Sequence, residues 1–195
     1  MRIFDRIQKN KGMTYVELIV VLSIFSVLGS VVMFNYGTFQ DRVDMKNLAN
    51  DIALKIVEAQ KSSISGKLPL PLPPSSWKPA YGVYFNITGD SKGFVYFTDL
   101  DNNTQYPGTI ACSTAECLNK TTITKGNYIS EIRRFPANTT VNDLGVNFTR
   151  PNSEASFSSG GSNLSGISYF QITVVSPKGN SAQIKVYSSG RIQVN

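Results

Sequence analysis

From Leu18 to Phe34 the chain is apolar at every position except Ser23, Ser26, Gly29 and Ser30, and between Met13 and Gln40 it carries one charged side chain, Glu17. As a helix, Met13 to Gln40 would rise about 42 Å, enough to cross a hydrocarbon core of roughly 30 Å. Beyond Gln40 the apolar positions thin out to one face. Met45, Leu48, Ala49, Ile52, Ala53, Ile56 and Val57 recur at three- and four-residue steps, which predicts an amphipathic helix. The pattern therefore predicts one long helix over residues 13–65, with 13–40 suited to a membrane and 41–65 to the surface of a folded domain. Asp51 and Lys55 are spaced to pair across one turn of its polar side. Gly29 and Gly37 are its weak points, each about 1 kcal/mol less favourable than alanine.

Residues 66–80, "GKLPLPLPPSSWKPA", hold five of the nine prolines. Such a segment ends a helix and reads as a stiff linker; the P-x-x-P match from Pro71 to Pro74 reads as the same stiff loop. Trp77, the only tryptophan, is a candidate plug between helix and sheet. From residue 81 to 195 the period changes to two. "YGVYFNI" and "GFVYFTD" flank the turn-forming "TGDSKG", which predicts a hairpin. "NYISEIRRF" and "VNDLGVNF" are further candidate strands, and "SEASFSSGGSNLSG" reads as a loop by composition. The end, "SYFQITVVS", "SAQIKVYS" and "RIQVN" with tight turns between, predicts a three-stranded meander. A long helix followed by an antiparallel β-rich domain is an α+β arrangement.

Charge sharpens this picture. The net charge is +6 over 195 residues, but Arg2, Arg6, Lys9 and Lys11 against Asp5 place +3 of it in the first twelve. Basic residues ahead of an apolar span favour the cytoplasmic side, and the mildly basic remainder is no footprint of a dedicated nucleic-acid binder. The apolar run ends in "NYGTFQDRVD", without the small-residue site at which a secretory signal is cut. Histidine is absent, which excludes a histidine general base, a Ser-His-Asp triad and histidine metal ligation. No motif places an enzyme or a cofactor.

"KGMTYVEL" resembles the processing site of type IV prepilins and of the pseudopilins of type II secretion. In that family a short basic leader ends in glycine, here Gly12. The next residue, here Met13, becomes the mature N-terminus after prepilin peptidase cuts, and its amine is commonly methylated. The fifth residue after the cut is a glutamate, here Glu17, which pairs with the N-terminal amine of a neighbouring subunit. The resemblance implies a pilin-like fold, with residues 1–12 as leader, and a structural minor pilin or H-type pseudopilin. Its loose β pattern "YGVYF…FVYFTDLDNN" and its closing "GNSAQIKVYSSGRIQV" point to the H-type and related minor pilins. The implied partners are other pilin or pseudopilin subunits, prepilin peptidase and an inner-membrane assembly platform. The implied location is the cytoplasmic membrane, with the soluble domain outside, and then a periplasmic or extracellular filament. A lone carboxylate at membrane depth costs roughly 2.5–3.5 kcal/mol on insertion scales, so an answering amine gives Glu17 its purpose: a paired charge fixes axial register where leucine could not. The alternatives are an adhesin or DNA receptor displayed on a pilin stem, and a plain signal-anchored membrane protein.

Three further features complete the reading. Cys112 and Cys117 bracket "CSTAEC" and are either a small disulfide loop or free thiols; a location outside the cytosol favours the disulfide. Asp99, Asp101 and Asn103 alternate as at the start of a calcium loop. Thr104 stands where an EF-hand needs glycine, however, and Ile110 where it needs glutamate, so a hydrophilic turn is the simpler reading. Arg133, Arg134 and Phe135 have the chemistry to contact DNA, yet three adjacent residues read more simply as an exposed strand end.

Overall fold

The computed structural model describes residues 12–69, 79–107 and 109–195; Trp77, Pro71 to Pro74 and most of the leader lie outside the described residues. The fold is α+β: among the described residues one long helix, α1 (Tyr15–Ser65), is followed by eleven strands in antiparallel sheets. The chain divides into two compact units, one ending at Gln40 and one spanning Asp41–Asn195.

In the first unit α1 runs through Gly29 and Gly37 without a break. Its apolar side chains are exposed: Val20 is 49% exposed, Phe25 68% and Phe34 85%. In the second unit the same helix turns Met45, Ala49, Ile52, Ala53, Ile56 and Ala59 inward, all buried. Each buried isoleucine is worth roughly 1.5–3 kcal/mol relative to exposure, and the alanines between them let the sheets approach the helix closely. Lys55 pairs at 2.8 Å with Glu58, one turn onward, rather than with Asp51 as the spacing predicts. The helix is stopped by Gly66, ahead of the prolines. Gly66 adopts φ +60°, its N–H donates to the Ser63 carbonyl at 2.9 Å, and Lys67 N–H donates to the Ser62 carbonyl at 3.1 Å. These two bonds form a Schellman cap, which needs a residue tolerant of the left-handed region.

Strands β1 (Ala80–Asn86) and β2 (Gly93–Asp99) form the expected hairpin around a four-residue helical turn, α2 (Ile87–Asp90), capped by Asn86 through Gly89 N–H at 2.8 Å. The first sheet adds β3 (Cys117–Thr122) beyond β2. On the other side of β1 it adds β6 (Asp143–Phe148), β7 (Ala155–Ser159) and β8 (Ser162–Leu164). The serine- and glycine-rich stretch read as a loop is thus a hairpin, β7–β8. Only its tip, Gly160–Gly161, is turn; Phe157 faces Val146 across the ladder and is buried. The second sheet holds the predicted meander β9 (Tyr169–Val175), β10 (Ser181–Tyr187) and β11 (Ile192–Val194), with β4 (Tyr128–Phe135) and β5 (Thr139–Val141) on the far side of β9.

One core joins the inner faces of both sheets to residues 45–59 of α1, with Tyr81, Phe85, Phe94, Phe148, Phe170, Ile172 and Ile184 among its members. The end of the helix is fastened by phenols: Tyr96 donates to Ser62 Oγ at 3.0 Å and Tyr81 to the Lys67 carbonyl at 2.9 Å. A second, smaller core lies on the opposite face of the first sheet, where Tyr106 and Ile110 of the β2–β3 connection cover Tyr84, Val95 and Phe97.

Candidate functional site

Two places carry chemistry. The first is the start of α1. Thr14 caps the helix: its carbonyl accepts from Leu18 N–H at 3.1 Å and its Oγ1 accepts from Glu17 N–H at 3.2 Å. Thr14-x-x-Glu17 has the residue pattern of a capping box, a signal present in "MTYVEL" that the apolar pattern alone passes over. Glu17 itself is exposed, as are Gly12 and Met13, so the Gly12–Met13 peptide bond stands in open chain just ahead of the first turn. Negative charge in the first turn also suits the helix dipole.

Downstream of Glu17 the polar atoms of the apolar stretch are silenced within the helix. Ser23 Oγ donates to the Val20 carbonyl at 2.7 Å, Ser26 to Leu22 at 2.9 Å and Ser30 to Val27 at 2.8 Å. Hydroxyls satisfied on their own backbone carry little penalty in a medium without water. Among the described residues α1 is the one helix long and apolar enough to cross a membrane, and its apolar window is not buried by protein.

The second place is the connection between β2 and β3, residues 100–116. Three devices hold it: the small core under Tyr106 and Ile110, the joined sulfurs of Cys112 and Cys117 (Cα atoms 5.3 Å apart), and a knot of carboxylates. Asp99, the last residue of β2, is fully buried; its Oδ2 accepts from Thr104 N–H at 2.9 Å and its Oδ1 from Asn103 N–H at 3.2 Å. Asp101 is exposed and accepts from Asn103 Nδ2 at 2.7 Å. Asn103 turns its own side-chain oxygen to Gln105 N–H at 2.7 Å. The third acid is Glu116, just before β3 and 6% exposed. The bond from Thr98 N–H to the Glu116 carbonyl, 2.9 Å, sets it beside the end of β2. Its Oε1 accepts from Leu100 N–H at 2.9 Å, and its Oε2 is buried without a hydrogen-bond partner. One carboxylate oxygen from each of Asp99, Asp101 and Glu116 lies within 4.8 Å of the others.

Burial pushes the Asp99 carboxyl above its usual range, and the neighbouring Asp101 pushes it further, against the backbone N–H groups that pull it down. Burial likewise raises Glu116, with the charges of Asp101 and Asp99 adding to it. The alternating Asp-x-Asp-x-Asn pattern found two of these acids. Glu116 escaped because nothing local links it to residue 99; only the strand pairing brings them together.

The arginines named from sequence have partners. Arg133 donates to Glu131 Oε1 at 2.6 and 3.0 Å and to Asn138 at 3.1 Å, and Arg134 donates to Thr139 at 2.5 Å. Phe135 stacks on Tyr169 at 4.5 Å, Tyr169 meets Tyr187 at 5.1 Å, and the Arg191 guanidinium lies 3.9 Å over Tyr187. Comparison with family models, with curated proteins and with solved structures finds no match to this chain.

Proposed function

We propose that this chain is a structural subunit, a minor pilin or pseudopilin, of a type IV filament system. The observation that carries the reading is α1 itself: one helix capped by Thr14 just after Gly12–Met13, with Glu17 in its first turn, whose apolar residues 18–34 are exposed and whose later turns pack in the core of a β-sheet domain. An apolar surface of this extent needs a lipid or a like helix to cover it. The precursor sits in the cytoplasmic membrane by this helix. Prepilin peptidase cuts after Gly12, and the assembly platform passes the subunit from lipid into a bundle of like helices. Apolar packing then holds the bundle, and Glu17 answers the new amine of Met13 on a neighbour. The β-domain faces outward and chooses the partners.

The test is the intact mass and N-terminal peptide of the full chain co-expressed with a prepilin peptidase. A chain beginning at Met13, with or without an added methyl, supports the reading. A chain still beginning at Met1, while a control prepilin in the same cells is cut, refutes it and leaves a simple membrane anchor. Glu17→Leu separates processing from assembly: cleavage is retained and incorporation into filaments is lost.

A further inference from the structure

We propose that Asp99, Asp101 and Glu116 bind one divalent cation of calcium's size, which pins the connection between β2 and β3. The inference stands on the geometry of the second unit and does not depend on the filament reading.

The spacing comes first. Calcium takes carboxylate oxygens at about 2.3–2.6 Å, so two ligands on opposite sides of one ion stand roughly 4.6–5.2 Å apart. Oxygens from all three acids lie within 4.8 Å of one another, close enough to share a single coordination shell. Next is the buried atom that lacks a partner. Glu116 is 6% exposed, its Oε1 is occupied by Leu100 N–H, and its Oε2 is buried without a well-formed hydrogen bond, although the Asp101 backbone N–H lies near the carboxylate. A buried carboxylate oxygen without a donor is costly, and a cation supplies what it lacks. Among the described residues no basic side chain pairs with it: Lys120 is spent on Asp90, Lys125 on Asp44, Arg133 on Glu131 and Lys55 on Glu58.

The surroundings suit a hard cation. The N–H groups of Asn103 and Thr104 hold Asp99, and Asn103 also holds Asp101 through both its backbone N–H and its side chain. The carboxylates are therefore oriented by the loop that an ion would rigidify. Asp101 is exposed and gives the ion a way in, with room for water to complete the shell. Magnesium demands a tight octahedron at about 2.0–2.1 Å and sheds water reluctantly, whereas calcium tolerates an irregular set of oxygens.

The test uses the full chain in detergent micelles, stripped with chelator, titrated with calcium chloride by calorimetry and then melted. One saturable site is expected, with a rise in Tm of roughly 5–10 °C at calcium about a hundredfold above its Kd. Asp101→Asn lies on the exposed loop and leaves the core untouched; it should weaken binding at least about tenfold by removing one of three charged ligands. Glu116→Gln should abolish the rise. No heat and no rise in the unmodified chain would overturn the proposal, leaving the acids held by shared protons. An undiminished response in both variants would overturn it by placing the ion elsewhere. An equal response to magnesium would overturn the assignment of calcium.

Discussion

Replacing Gly82 with alanine tests the packing of the first sheet at its tightest point. Gly82 lies opposite Phe97 in the β1–β2 ladder. A Cβ built there would meet Phe97 Cζ at 2.5 Å and the Val146 carbonyl oxygen, on β6, at 2.6 Å. Carbon atoms rest comfortably at about 3.5–4.0 Å, so about 1 Å must be found. Neither neighbour can give it freely. Phe97 is fully buried, with Tyr106 against it at 5.1 Å between centroids, and the Val146 carbonyl belongs to the backbone that pairs β6 with its neighbours. Overpacking of this kind costs about 1–3 kcal/mol. For a chain of this size each kcal/mol moves Tm by about 2–4 °C, so Gly82→Ala should lower Tm by roughly 2–12 °C. The assay is thermal unfolding of the full chain in detergent, followed by near-ultraviolet circular dichroism of the buried aromatics. Gly29→Ala is the counterpart, because a Cβ there meets nothing within 4 Å and alanine favours the helix by about 1 kcal/mol. Its Tm should hold or rise. If Gly82→Ala melts within about 1 °C of the parent, the close approach of Phe97 over β1 is wrong.

Two other outcomes follow from the β2–β3 connection. The carboxyls of Asp99 and Glu116 are raised above their ordinary values of 3.8 and 4.5, so in this range the folded chain holds protons that the unfolded chain has lost. In chelator, stability should therefore fall as pH rises from about 4 through the raised folded values. Glu116→Gln should flatten that fall and melt higher than the parent at neutral pH; a parent stability that climbs over this window contradicts the buried cluster. Removing the Cys112–Cys117 link by double alanine substitution releases a loop with a sequence separation of 5. The chain-entropy estimate for such a loop is about 2 kcal/mol. Faster amide exchange should appear across residues 100–116 and not in β9 or β10, and uniform loosening of both would show that the link does more than tether its loop.

The parts of this fold legible in the sequence are those whose partners are near in the chain. The apolar run and the three-and-four spacing from Met45 to Val57 delivered α1, and two period-two runs around a Gly-Asp turn delivered β1 and β2. Strands β4 and β6 were visible as runs, but their destinations were not. β4 pairs with β9 and β6 with β1, choices made by contacts across long stretches of chain. The hairpin β7–β8 was hidden by its serines, because strands toward a sheet edge need bury little; Phe157 alone on β7 anchors it among large side chains. The carboxylate knot was half legible for the same reason. Asp99 and Asp101 are local to each other, and Glu116 joins them only through the β2–β3 pairing.

The three serines of α1 have a consequence for how such helices could recognise each other. By donating to Val20, Leu22 and Val27, their hydroxyls spend their one proton within the helix and have none to donate between chains. What remains along residues 18–34 is a surface of aliphatic side chains with Phe25, Met33 and Phe34 among them, which adheres well and discriminates poorly. Two such helices sliding past each other by one turn would exchange one greasy contact for another at little cost. In the filament we propose, Glu17 is then the single notch on an otherwise smooth rod: the stretch below it supplies cohesion, and that one carboxylate supplies the address.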